Sequence, residues 1–268
     1  MSFEIMLILV AIGLWLYVTT TAIDLGKGLR AALANQTLPV YFELFPRRLP
    51  NQYEQYLIKN DKFYGNLSPK LQRSYGSRIM NFIDDKTFKT RDALKITGEM
   101  KLVIASIAVK ITFGLREYLF GHFHTIIIYS GEFHSNVSGL DVKGETNGAG
   151  VIVFSWEDLQ YGNSIPDDSI NLGYHEFAHA LFLGHLMNPY NNGFKDHYRE
   201  WLMFVKYNDK LDEVREKHIF RDYAAVNEME FFAVALENFF EKPNHFKQEL
   251  PHLYKLMVQM LNQDLATV

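Results

Sequence analysis

The run Tyr174-His175-Glu176-Phe177-Ala178-His179 constrains this chain more than any other stretch. It lies in a segment that reads as a buried helix, where two histidines four residues apart leave nearly the same face. That is a two-pronged nitrogen grip for Zn²⁺, which takes imidazole at about 2.0–2.1 Å and commonly adds one more protein ligand and a water. Glu176 is rotated about a quarter turn from His175, so it stands beside such an ion as a proton acceptor for water, not as a ligand. The chain has no cysteine, so a zinc site here must use histidine and carboxylate.

The 268 residues fit one medium domain plus an appendage, or two small domains, and a 48% apolar composition is ample for a core. A net charge of −4 gives no support to nucleic-acid binding, which needs a strongly basic face. Ile5–Ile23 is free of charged side chains, with Trp15 and Tyr17 toward one end. As a helix it would rise roughly 28 Å, close to the hydrocarbon thickness of a bilayer. Residues 1–23 are therefore predicted to be a retained transmembrane anchor, with residues 5–23 in the lipid bilayer. Glu4 precedes the run, and Lys27, Arg30, Arg47 and Arg48 follow it. The positive-inside rule then places a single-pass protein in the cell membrane with its catalytic part in the cytoplasm.

Residues 24–60, with Pro39, Pro46 and Pro50, read as a juxtamembrane connector holding one short helix, and 61–268 as the catalytic domain. Ser68-Pro69 opens a helix that runs to Asp84-Asp85. A second helix spans Thr97 to Leu115, with apolar positions over more than half its circumference, as befits a central element. Thr125–Tyr129 and Gly150–Ser155 are strand-like, and Gly131–Gly148 between them reads as a surface loop. The motif helix is expected from about Asp167-Asp168 to Gly184, with later helices at Glu228–Phe240 and Leu253–Leu261. Gly144–Gly150 is glycine-rich, but it precedes a strand and lacks the Gly-Lys-Ser/Thr ending of a phosphate loop. His122 and His124, at period two, read as packed or solvated side chains and not as a second metal site.

Three residues compete for the third metal position. His185 has the spacing of the extended His-Glu-x-x-His-x-x-Gly-x-x-His motif. Phe182, however, stands where that motif needs glycine, and an unbroken helix would turn His185 away. Glu230 lies fifty-one residues after His179, where a following helix could complete a His₂Glu set. Glu230, Glu237 and Glu241 also form a single helical stripe opposite Phe232, Leu236 and Phe239, the pattern of an ordinary solvated face. Asn227-x-x-Glu230 further matches a capping box. Glu237 fits best as support behind a ligand, or as surface.

The motif, followed by Tyr223-Ala224-Ala225-x-Asn227-x-x-Glu230-Phe231-Phe232-Ala233-Val234-Ala235, resembles the Mlc titration factor A family of zinc-dependent metallopeptidases. Asp61-Lys62, Glu99-Met100-Lys101 and Val153-Phe154-Ser155-Trp156 extend the likeness over roughly residues 55–245. The Glu-Phe-Phe-Ala core is also similar to the catalytic domain of anthrax lethal factor. The resemblance implies an α+β zincin-like domain, helices packed on a small mixed sheet, that cleaves a peptide or protein substrate. It implies His175, His179 and Glu230 as ligands of one Zn²⁺, Glu176 as general base and Tyr223 as a hydroxyl for the oxyanion. Members of that family carry Asp where Phe182 stands, an acid that could orient a ligand histidine. The family's namesake binds a transcriptional repressor, a partner not carried over to a chain with an anchor.

Two other readings remain at this point. One is a membrane-tethered regulatory module without catalysis, against which the complete set of five site residues argues. The other is a metzincin-like protease using His185. Metal content per chain separates Glu230 from His185. The resemblance predicts loss of bound metal in Glu230→Ala and retention in His185→Ala, and the opposite result would name the histidine.

Overall fold

The computed structural model describes residues 3–34, 46–187, 192–207, 220 and 227–266. The chain divides into two compact units, Met1–Val40 and Tyr41–Val268. The first holds helix α1 (Phe3–Ala34), which runs without a break past Ile23 through Asp24, Lys27 and Arg30. Among the described residues no helix is long and apolar enough to cross a membrane. The expected bilayer span over residues 5–23 is corrected accordingly. So is the single-pass, membrane-anchored placement with a cytoplasmic catalytic part that was built on it.

The second unit opens with α2 (Asn51–Asn60), α3 (Lys62–Asn66) and α4 (Pro69–Asp85), then β1 (Thr87–Thr90) and α5 (Gly98–Ile111). Next come β2 (Thr125–Tyr129), the short pair β3 (Phe133–His134) and β4 (Asp141–Val142), β5 (Gly144–Asn147) and β6 (Val151–Ser155). Helices α6 (Trp156–Ser164), α7 (Leu172–Met187), α8 (Asn192–Tyr207), α9 (Glu228–Glu241), α10 (Pro243–Glu249) and α11 (Pro251–Leu261) complete it. The architecture is α+β, as expected, with helices around a small mixed sheet.

Four strands form a mixed sheet in the order β1-β2-β6-β5. The first three are parallel, and β5 runs antiparallel to β6 with Gly144 opposite Phe154 and Asn147 opposite Val151. Burial alternates along β2, where Ile126 and Ile128 are buried, whereas β6 is buried from Ile152 through Ser155 and so is covered on both faces. Strand β6 has a partner on each side, so Val151–Ser155 offers no edge to an added strand. Among the described residues β1 and β5 are the two edges of the sheet, and β5 is the edge that lies against α7. That strand falls inside Gly131–Gly148, which the sequence presents as loop. Gly-Glu-Thr-Asn has no apolar alternation, and its four residues are only half-buried.

Helix α5 is central, as its composition predicts, and starts on a Thr97 cap that accepts from Met100 N at 3.2 Å. It ends at Ile111, short of the expected Leu115, because other parts of the chain take over its last carbonyls. Buried Arg78 (1% exposed) donates from Nη1 to the oxygens of Thr112, Phe113 and Leu115. Asn262 Nδ2 donates to Gly114 O at 2.8 Å, and Gln263 Nε2 to Lys110 O and Ile111 O. A Cβ at Gly114 would lie 2.3 Å from Leu261 O, so only glycine admits this approach.

The motif helix α7 packs against α5, α6, α9, β5 and β6. It is pinned to the sheet by Phe177, whose ring centroid lies 5.6 Å from Phe154 and 6.0 Å from Phe82. Burying such a ring is worth roughly 1.5–3 kcal/mol, and it sets the rotation of the helix that carries the histidines.

Candidate metal centre

Helix α7 begins at Leu172, later than Asp167-Asp168, because Asp168 and Ser169 make a turn first. Asp168 Oδ1 accepts Ile170 N at 2.9 Å, and Ser169 has φ of 63°. Asn171 then caps the helix, its Oδ1 accepting Tyr174 N at 3.2 Å. One turn further in, His175 and His179 meet edge to face, with ring centroids 4.6 Å apart and planes at 86°. Helix α9 is capped by Asn227, whose Oδ1 accepts from Met229 N and Glu230 N. The Glu230 side chain does not return to that cap but reaches the histidines.

His175 Nε2 lies 3.1 Å from His179 Nε2 and 3.2 Å from Glu230 Oε2, and His179 Nε2 lies 3.5 Å from the same oxygen. Three ligand atoms of a tetrahedral ion with bonds of about 2.0–2.1 Å stand about 3.3 Å apart, so this triangle is the size a zinc-like ion requires. All three residues are buried, and the group could hold a metal ion. The buried Glu230 Oε2 makes no aligned hydrogen bond among the described residues, despite its nearness to both rings. A cation at the centre of the triangle would satisfy it, and neutral imidazole nitrogens with one carboxylate are a donor set zinc accepts.

Glu237 shows why the right nitrogen faces inward. It is 0% exposed, and its Oε1 lies 2.7 Å from His175 Nδ1. A carboxylate only accepts, so Nδ1 carries the proton and Nε2 turns its lone pair to the cluster. The other oxygen, Oε2, accepts Asn171 N at 3.0 Å and so ties the start of α7 to α9. Glu241, a turn further along, accepts from Ser169 N and Asn171 Nδ2. The acidic stripe of α9 therefore faces α7 and the turn before it, not solvent.

Burial works against a charged His175, but the Glu230 and Glu237 carboxylates outweigh it and lift the ring to about 9. Burial likewise opposes the Glu230 anion, and the two imidazoles beside it prevail, holding it down at about 2. A metal ion in the triangle would compete with the proton for His175 Nε2, and its capture would strengthen as pH rises. Glu176 sits behind the pair, its carboxyl lifted by burial and drawn back by His179, His175 and Thr146. Thr146 Oγ1 is 2.8 Å from Glu176 Oε2.

Position 182 is occupied by a half-buried Phe packed on Tyr198 of α8, centroids 5.6 Å apart. His179 Nδ1, buried, has no hydrogen-bond partner among the described residues. The support that reaches His175 through Glu237 therefore has no counterpart at His179 within them. Helix α7 runs unbroken through Phe182 to Met187, so the chain does not turn back as the three-histidine motif requires. Tyr223, and the side chain of His185, lie outside the described residues. His122 Nε2 meets Gly148 O at 2.8 Å, and neither it nor His124 joins a metal cluster among the described residues. The strand β5 that borders Glu176 was missed by sequence reasoning. Its one signal was a glycine that turns out to be sterically required.

Comparison with known proteins agrees with this chemistry. The family described as glucose-regulated metallo-peptidase M90 matches residues 43–261. An uncharacterized protein of Synechocystis sp. is 28% identical over 239 residues, covering 82% of this chain and 86% of its own length. Mlc titration factor A of Klebsiella pneumoniae is 26% identical over 220 residues, covering 74% of this chain and 82% of its own.

Two measurements follow from the α9 stripe. Glu237→Gln weakens the hold on the His175 proton and should lower metal affinity by about tenfold or more, read by competition with a chelator. Glu241 is lifted by burial to about 7, against hydrogen bonds from Asn171 and Ser169. An acid whose folded pKa is raised destabilises the fold as it ionises, so stability falls as pH rises from the unfolded value, about 4.3, through about 7. Relative to wild type, Glu241→Gln should therefore gain thermal midpoint steadily across that window and level off above it.

Proposed function

This chain belongs to the glucose-regulated metallo-peptidase M90 family, and we propose on that premise that it is a zinc-dependent peptidase with a zincin-like catalytic domain. The observation that carries this reading is the buried triangle of His175 Nε2, His179 Nε2 and Glu230 Oε2, with edges of 3.1–3.5 Å. In it the two histidines and Glu230 are the ligands of one Zn²⁺. When bound, the ion supplies Lewis acidity, polarising the substrate carbonyl and making water a nucleophile near neutral pH.

The residues of the chain do the rest. Glu176 accepts the proton of the attacking water and delivers it to the departing amine, a general base and then a general acid. The burial that lifts its carboxyl suits both roles. Glu237 keeps His175 in the tautomer that presents Nε2. Tyr223 is assigned, on the family likeness, as the hydroxyl that donates to the developing oxyanion. The substrate is an extended peptide that pairs with the free edge of β5, one strand removed from β6. Its scissile bond is thereby carried past Thr146 and Glu176.

Glu176→Gln tests the assignment most directly. It should retain about one metal per chain while peptide turnover drops on the order of 10³-fold. Turnover at the wild-type rate in a clean preparation of that variant would remove Glu176 from its role.

A further inference from the structure

We propose that β5 positions the general base: Gly144 makes room for the Glu176 carboxylate and the Thr146 hydroxyl fixes its direction. The inference rests on the reading of Glu176 as the base and assigns two positioning residues to it. The strand that borders the site would thus serve the carboxylate with two residues of one face and the substrate with its open backbone edge.

The steric half comes from Gly144. A Cβ built there would lie 2.5 Å from Glu176 Oε1, 2.8 Å from Glu176 Cδ and 2.7 Å from Leu172 Cδ1. The backbone of Gly144 is not left-handed, since the positive-φ glycines among the described residues are Gly139 and Gly150. The glycine is needed for space and not for conformation. The atoms met first are ends of flexible side chains, so an alanine would be accommodated by moving the carboxylate rather than by breaking the fold.

The directional half comes from Thr146, two residues on and hence on the same face of the strand. Its Oγ1 lies 2.8 Å from Glu176 Oε2 and 3.0 Å from Glu176 O. A hydroxyl has one proton to give. The main-chain oxygen sits within helix α7, where the turn that follows supplies an N–H. The carboxylate is the better acceptor of the two. Glu145 and Asn147, on the opposite face, bond to each other through Asn147 Nδ2 and Glu145 Oε1 at 3.2 Å. Neither contributes to Glu176.

The test uses the full chain loaded with zinc, in Thr146→Val, Thr146→Ser and Gly144→Ala, with kcat and KM on a peptide substrate and zinc per chain. Thr146→Val should lower kcat by about tenfold or more, the effect of one hydrogen bond to a charged group. KM and zinc content stay as in wild type, and Thr146→Ser, which keeps the donor, restores turnover. Gly144→Ala should lower kcat by about a hundredfold, since a displacement near 1 Å has that effect. A second readout needs no turnover. The thermal midpoint lost in Gly144→Ala should shrink when Glu176 is also replaced by Ala, because the two side chains no longer compete for one space.

Wild-type kcat in Thr146→Val, or a change confined to KM, would overturn the directional half. A midpoint loss in Gly144→Ala that is the same with and without Glu176 would overturn the steric half. A wild-type protein that binds zinc but cleaves no peptide would instead strike the proposed function, and the midpoint cycle would still decide whether β5 shapes the space around Glu176.

Discussion

The contact between His175 and Glu237 holds the site together. Two helices bring five ionisable side chains into the interior: His175, Glu176 and His179 on α7, and Glu230 and Glu237 on α9. Such groups are costly to bury one by one and tolerable only where each finds a partner. Glu237 is the hinge of that arrangement, because one oxygen faces the histidine ring and the other the main chain at the head of the same helix. It fixes the axial position of α7 against α9 and the orientation of the His175 ring in one stroke. Two asparagine caps, at 171 and 227, set where each helix starts and so the phase in which its acids and imidazoles meet.

Much of this was legible in the residues. Helical spacing placed α4, α5, α7 and α9, because long apolar periodicity survives local variation. The four-residue interval put both histidines on one face, where the structure has them. The acidic stripe of α9 was ambiguous for a physical reason. A face turned to water and a face turned to buried imidazoles use the same residues at the same spacing, and only the neighbouring helix decides between them. The start of α7 was misplaced because two aspartates before an apolar run look like a cap, whereas the backbone turns once more at Ser169.

Strand β5 was not legible at all. Strand propensity rests on β-branched and aromatic residues that fill a half-buried surface, and Gly-Glu-Thr-Asn answers to a local demand instead. Its first residue must be small because a carboxylate lies against it, and its third bears a hydroxyl beside that carboxylate. The N-terminal run misled in the opposite way. An uninterrupted apolar composition suggested an anchor over residues 5–23, but no helix among the described residues has the length and apolarity to span a bilayer.

The closure of α5 has a consequence for when the molecule becomes whole. The carbonyls of Lys110, Ile111 and Gly114 are taken up by Gln263 and Asn262, some 150 residues later in the chain. A ribosome has made His175, His179 and Glu230, the acid stripe and the four described strands of the sheet before it reaches those two amides. Until they emerge, the pillar on which the motif helix leans has an open end. Completion of α5 is thus a long-range event, so a nascent chain carries His175, His179 and Glu230 for some time without the finished framework that would hold them in register.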